Sequence, residues 1–117
     1  MKDSQLLSES IFISGKEQRY EKVLYQDILY FQAEGGWVDL VTNPAGKKYR
    51  ISTNLGNVEP QLNPTVFLRV SRKHIINIHH VIAVQGNMVF VGDDEILIGR
   101  LYKDDLFVRL PILRTKN

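Results

Sequence analysis

Turn-forming residues cut this chain into short pieces, and that punctuation constrains its fold more than any other feature. Gly15, Gly35-Gly36, the run Asn43-Pro44-Ala45-Gly46, Asn63-Pro64, Gly86-Asn87 and Gly92-Asp93 are strong turn formers spread along the whole length. The pieces between them are apolar or alternating, too short for a long helix, and rich in residues that favour strands. Trp37, Asp39 and Val41 alternate with Val38, Leu40 and Thr42, the period of a strand with two different faces. Segments 19–25, 28–33 and 47–52 read as further strands, and Gly86-Asn87 as a two-residue hairpin turn between Val81-Ile82-Ala83-Val84 and Met88-Val89-Phe90-Val91. Helical spacing occurs at Leu55, Val58 and Leu62, with Thr53 or Asn54 as cap and Pro60 limiting the helix to about two turns. Leu106, Val108 and Leu110 allow a short helix or a strand that ends at Pro111. The predicted fold class is mostly β, with about ten short strands and one or two short helices; periodicity alone reaches a barrel or a sandwich.

A chain of 117 residues is one domain by size, with enough length to bury a core. With no cysteine there is no disulfide framework, no thiolate nucleophile and no Cys-based zinc site. No apolar run approaches the ~18 residues of a membrane span, and the N-terminus lacks the basic-then-apolar build of a signal peptide. No membrane partner is therefore expected, and the expected location is cytoplasmic. The histidines His74, His79 and His80 invite a metal reading. Neighbouring His79 and His80, taken as strand residues, would point to opposite faces, and no carboxylate near them completes a ligand set. Asp93-Asp94-Glu95 lacks calcium-loop spacing, and neither a nucleophile motif nor a phosphate-cradling glycine motif occurs. The expectation is no enzyme, no metal and no cofactor.

The formal charge of +2 says little about partners, so the placement of charge has to carry that question. No Asp or Glu occurs between Glu59 and Asp93, whereas Arg69, Arg72, Lys73 and all three histidines do. Within that span, Val66-Phe67-Leu68 and Ile75-Ile76-Asn77-Ile78 flank the polar break Ser71-Arg72-Lys73, which reads as a tight connection between two strands. A cationic loop on a rigid β scaffold suits a polyanion, and an Arg fork matches the edge of guanine.

Three blocks carry a family resemblance. The order Phe67, Arg69, Ser71-Arg72-Lys73, Ile76-Asn77 resembles the signature of LytTR-type DNA-binding domains. So does Asp27-Ile28-Leu29-Tyr30-Phe31 followed by Ala33, Gly35-Gly36, Trp37-Val38, Leu40 and Thr42. Ile98-Gly99-Arg100-Leu101-Tyr102 is similar to the family's closing Ser-Arg-Arg-Tyr segment. The resemblance implies an elongated stack of small antiparallel sheets over residues 11–112, with a leader or linker at 1–10 and a tail at 113–117. It implies the output domain of a bacterial transcription regulator of two-component type, binding double-stranded DNA at paired half-sites, with homodimerisation on DNA. A receiver domain and sensor kinase would lie outside this chain, which then reads as an excised fragment or a stand-alone regulator.

The same resemblance assigns the site. Ser71, Arg72 and Lys73 form the loop that enters the major groove, with Ser71 standing where the family usually has His. Gly36 and Trp37 belong to a second contact loop, where Gly36 replaces a usual polar side chain; the bland reading of Trp37 is core or cross-strand packing. Arg100 is the third contact, and Leu101 replaces a second arginine. Arg69 is either a phosphate contact or an internal hydrogen-bonding residue. Apart from the resemblance, Lys47, Lys48 and Arg50 lie on the glycine-turn hairpin and could add phosphate contacts, though exposed hairpin lysines need no function. The competing reading is a β-barrel module that binds a protein or small ligand without DNA.

Overall fold

A computed structural model describes residues 10–43 and 48–115. Most of the predicted leader, Pro44-Ala45-Gly46 with Lys47, and the last two residues lie outside the described residues. Ten strands occur among the described residues, in three antiparallel sheets that do not close into a barrel. β1 (Ser10–Ser14) pairs with β2 (Tyr20–Leu24). β3 (Ile28–Glu34), β4 (Trp37–Thr42), β5 (Lys48–Ile51), β6 (Phe67–Arg69) and β7 (His74–Asn77) form a five-stranded sheet in the order β5-β4-β3-β7-β6. β8 (Val81–Gln85), β9 (Met88–Val91) and β10 (Asp94–Leu97) form the third sheet. Among the described residues there are also two short α-helices, α1 (Leu55–Val58) and α2 (Lys103–Arg109), and the fold extends 58 × 39 × 25 Å. The predicted mostly-β, elongated stack is the observed architecture.

Local chemistry explains the elements. Gly35 (φ 61°) and Gly86 (φ 59°) each open a two-residue hairpin loop with a positive φ, as the II′ turn requires of its first residue. Gly36 does not share that positive φ, so only one of the two neighbouring glycines is needed by the turn. At α1, the Asn54 side chain accepts from the Asn57 N–H at 2.9 Å, as the sequence allowed for Asn54. Beyond Val58 the helix tightens into a 3₁₀ turn at Glu59–Gln61 that contains Pro60. The segment after Tyr102 resolves as helix: Leu106 is wholly buried while Val108 is 80% exposed, so the apolar spacing reports one helical face.

The five-stranded sheet is the middle layer. On one face Phe31, Leu40, Phe67 and Ile75 pack with Ile13 and Val23 of the first sheet and with Leu55 and Leu62 around α1. Phe67 meets Phe31 and Tyr25 edge-on, at centroid distances of 5.6 and 4.9 Å. On the other face Tyr30, Leu68 and Ile76 pack with Val89, Val91, Ile96 and Ile98 of the third sheet and Leu106 of α2. Full burial of each such aliphatic or aromatic side chain is worth about 1.5–3 kcal/mol, so two cores share the task of stabilising one small chain.

Polar groups pin the layers in register. Buried Asn77 donates to the carbonyls of Tyr25 (3.0 Å) and Ile28 (2.9 Å), and its own oxygen accepts from His79 N–H at 2.9 Å. The Tyr30 hydroxyl donates to Asp94 Oδ2 at 2.8 Å, joining the second sheet to the third. Burial, then the hydrogen bond and the neighbouring Asp94 charge, push the Tyr30 phenol well above its usual range. The guanidinium of Arg109, near the end of α2, bonds the Pro64 carbonyl ahead of β6.

Candidate nucleic-acid interface

The loop Ser71-Arg72-Lys73 joins β6 to β7 and is closed at its base by Val70 N–H to His74 O at 3.1 Å. Its shape is set by three side chains. Arg69 donates through Nε to the Ser71 carbonyl (3.0 Å) and through a terminal nitrogen to the Arg72 carbonyl (2.9 Å). Its other terminal nitrogen meets Glu59 Oε1 at 3.1 Å. Of the two readings open for Arg69, the internal hydrogen-bonding one describes its position: the fork grips the loop backbone from beneath. Ser71 Oγ accepts from Lys73 N–H at 3.1 Å and lies 3.3 Å from His74 Nδ1. His74 is half-buried against the ring of Tyr30. Burial first, and the Lys73 charge second, hold its imidazole below its ordinary pKa of 6.5, with Glu34 opposing.

Arg72 and Lys73 are exposed, and among the described residues no carboxylate pairs with either of them or with Arg100. Arg100 reaches the same place from far along the chain. Gly99 N–H donates to the Val70 carbonyl at 2.7 Å, which docks the segment after β10 onto the base of the loop. The fit is close: a Cβ at Gly99 would stand 3.0 Å from the Tyr102 ring, which would have to give by a few tenths of an ångström, and 3.5 Å from Ser71 Cα. Tyr102 N–H then returns to the Gly99 carbonyl at 2.9 Å, and the 3₁₀ turn at Arg100–Tyr102 presents Arg100 and Leu101 to solvent. The result is an open cleft of about 600 Å³ between the loop and this segment. Ser71, Arg72, Lys73 and Arg100 all line it, as do His74, Leu97, Leu101 and Tyr102.

The turn Gly35-Gly36 occupies the same end of the five-stranded sheet, because Ala33 N–H donates to the Lys73 carbonyl at 2.8 Å. Gly36 and Trp37 do not line the cleft. Trp37 is 46% exposed, so it is not a core indole; it begins β4 opposite Glu34 at the strand end, which agrees with the cross-strand half of the bland reading. A Cβ at Gly36 would meet nothing within 4 Å, so neither sterics nor a positive φ requires glycine there.

The described cations of the adjoining hairpin, Lys48 and Arg50, differ from the loop's by sharing a carboxylate, although Arg50 stands in the same cross-sheet row as Asp39, Gln32 and His74. Arg50 is bound by buried Asp39 through two parallel bonds, Nε to Oδ1 at 2.7 Å and a terminal nitrogen to Oδ2 at 2.9 Å. The Arg50 hydrogen bond lowers the Asp39 carboxyl below its ordinary 3.8, against an opposing effect of burial, with the Arg50 and Lys48 charges adding to the lowering. Lys48 stands 3.9 Å from the same carboxylate. His79 and His80 sit in a 3₁₀ turn at Ile78–His80, so the strand geometry expected for them is corrected. His80 Nε2 donates to the Gln26 carbonyl at 2.6 Å. Among the described residues no group of three His, Cys, Asp or Glu side chains converges as metal ligands. No helix among them is long and apolar enough to cross a membrane.

The side chains that sequence reasoning missed as cleft lining are His74, Leu97, Leu101 and Tyr102. Leu101 had a signal, as an apolar residue where an arginine was expected, and His74 lay in the carboxylate-free span.

The sequence profile of the LytTr DNA-binding domain family matches residues 18–110. Among solved structures, the chain is similar to the LytTr DNA-binding domain of a Bacillus cereus response regulator. The TM-score is 0.73 at 14% identity, over 88% of this chain and 97% of that one. No curated protein matches by sequence.

Proposed function

This chain belongs to the LytTr DNA-binding domain family, and on that premise we propose that it binds double-stranded DNA sequence-specifically, as the output domain of a transcription regulator. The observation that carries the reading is the cleft at one end of the fold: Arg72, Lys73 and Arg100 line it, no carboxylate does, and backbone hydrogen bonds hold both of its walls. Cations fixed on a rigid scaffold neutralise phosphate without first having to be ordered. Arg72 and Arg100 carry planar forks suited to the N7 and O6 acceptors of guanine, and Lys73 a point charge suited to phosphate. Ser71 faces its own loop and His74, so its part in base reading is secondary to shaping the loop. Gly36 offers backbone only, and the exposed Trp37 lies against the sugar–phosphate surface next to it. The loop enters the major groove, two copies occupy paired half-sites, and a receiver domain on the same or another chain controls that pairing. Effective concentration then multiplies the affinity of each half-site.

Selection from a random duplex pool, followed by salt titration of the recovered sequence, tests the reading. The expected result is a recovered repeated motif and a log–log salt slope near −0.9 per phosphate neutralised. Recovery of no motif together with salt-independent binding would overturn it.

A further inference from the structure

Two leucines stand bare beside the cationic loop. Leu97, which ends β10, is 62% exposed, and Leu101, between Arg100 and Tyr102, is 88% exposed. Both line the cleft with Arg72, Lys73 and Arg100. Neither contributes to either hydrophobic core. They are not on a floppy segment: the Gly99–Val70 and Tyr102–Gly99 backbone bonds hold Leu101 in place, and Ile98 N–H bonds the Asn87 carbonyl at 2.7 Å just after Leu97.

An occupant of this cleft must be anionic around its margin and apolar at points between the cations. The base edges of the major groove offer one apolar group, the C5-methyl of thymine, set between acceptor-rich purines and a phosphate wall. Resting on the DNA-binding reading above, we propose that Leu97 and Leu101 are specificity-determining residues that recognise thymine methyl groups flanking the bases read by Arg72 and Arg100. Replacement of an arginine by Leu101 is then an exchange of readout: a hydrogen-bond fork for guanine gives way to an apolar contact for thymine.

The duplex recovered from the random pool provides the test. Each thymine is replaced singly by deoxyuridine, which removes the methyl and keeps every hydrogen-bonding group. Affinities are measured for the wild-type chain, Leu101→Ala and Leu97→Ala by fluorescence anisotropy. Loss of one buried methyl corresponds to about a fourfold weakening, so the wild-type chain should show about that factor at one or more thymines. Leu101→Ala or Leu97→Ala should bring the thymine-to-uracil ratio at those positions close to one, while melting like the wild type. The proposal is overturned if no position distinguishes thymine from uracil, or if both variants keep the wild-type ratio. Steep salt dependence and a recovered motif alongside that result would leave the DNA-binding reading standing, whereas failure to recover a motif removes both.

Discussion

Single residues at the rim divide into those that hold the loop and those that it presents. Arg69 and Arg72 are three positions apart and chemically identical, yet Arg69 is bound to the carbonyls of Ser71 and Arg72 while Arg72 is exposed. The sequence could not separate them, because the distinction depends on how the loop folds back over its own strand. Arg72→Ala should cost ~1–3 kcal/mol on a preferred duplex and relax base preference at one position; Lys73→Ala should weaken all duplexes about equally and reduce the salt slope by about one contact. Arg72→Lys keeps the charge and removes the fork. Wild-type discrimination between preferred and scrambled duplexes by that variant would show Arg72 to be an anchor and not a reader. None of the three should shift the thermal midpoint. Asn77, the closing residue of the same motif, belongs to the opposite class. Its amide satisfies two carbonyls and one N–H in a buried site, so Asn77→Ala should destabilise the fold by about 3 kcal/mol, read by urea unfolding. An effect of Asn77→Ala on DNA affinity with unchanged stability would contradict that structural role.

At the scale of elements, the hairpins were legible wherever the turn chemistry matched the backbone. Gly35 and Gly86 announce their turns, and Asn54 announces α1. The β1–β2 connection shows where that signal fails. Arg19 N–H bonds the Lys16 carbonyl at 3.0 Å, and the two residues between them, Glu17 (φ 55°) and Gln18 (φ 60°), both take the left-handed region. That is the geometry of a type I′ turn, whose favoured pair is Asn-Gly, and here it is built from residues with side chains that resist it. Gly15-Lys16 was the visible turn signal, but the positive φ values fall on the next two residues, because the register of Ser14 with Tyr20 places the reversal there. Replacing Glu17 and Gln18 by Asn-Gly should therefore stabilise the chain by about 1 kcal/mol, measured as a rise in the denaturation midpoint at constant slope. A fall in the midpoint would mean that the Glu17 and Gln18 side chains contribute contacts that outweigh the strain.

For the whole molecule, alternation showed which residues face inward but not which layer each face meets. Tyr30 and Asp94 lie 64 positions apart and neither flags the other, yet their bond joins two sheets. The stack became legible only through the family resemblance; from periodicity alone a barrel fitted as well. The same layering buries two titratable groups in different ways, and this separates their effects on stability. His74 is half-buried beneath the loop, with Lys73 beside it, Glu34 opposing, and Ser71 and Tyr30 as its near neighbours. Its folded pKa lies below the ordinary 6.5, so the unfolded chain binds the proton more readily. Stability is then fully present above pH 6.5 and declines as the pH falls toward the folded value. Asp39 is lowered by its Arg50 pair, so its contribution persists above the ordinary 3.8 and is lost only as the pH falls through its folded value. Two declines should appear in a plot of unfolding free energy against pH, one beginning near pH 6.5 and one below 3.8. His74→Gln should flatten the first and leave the second. Persistence of the first decline in His74→Gln would place its origin in another group and remove His74 from the stability account of the loop.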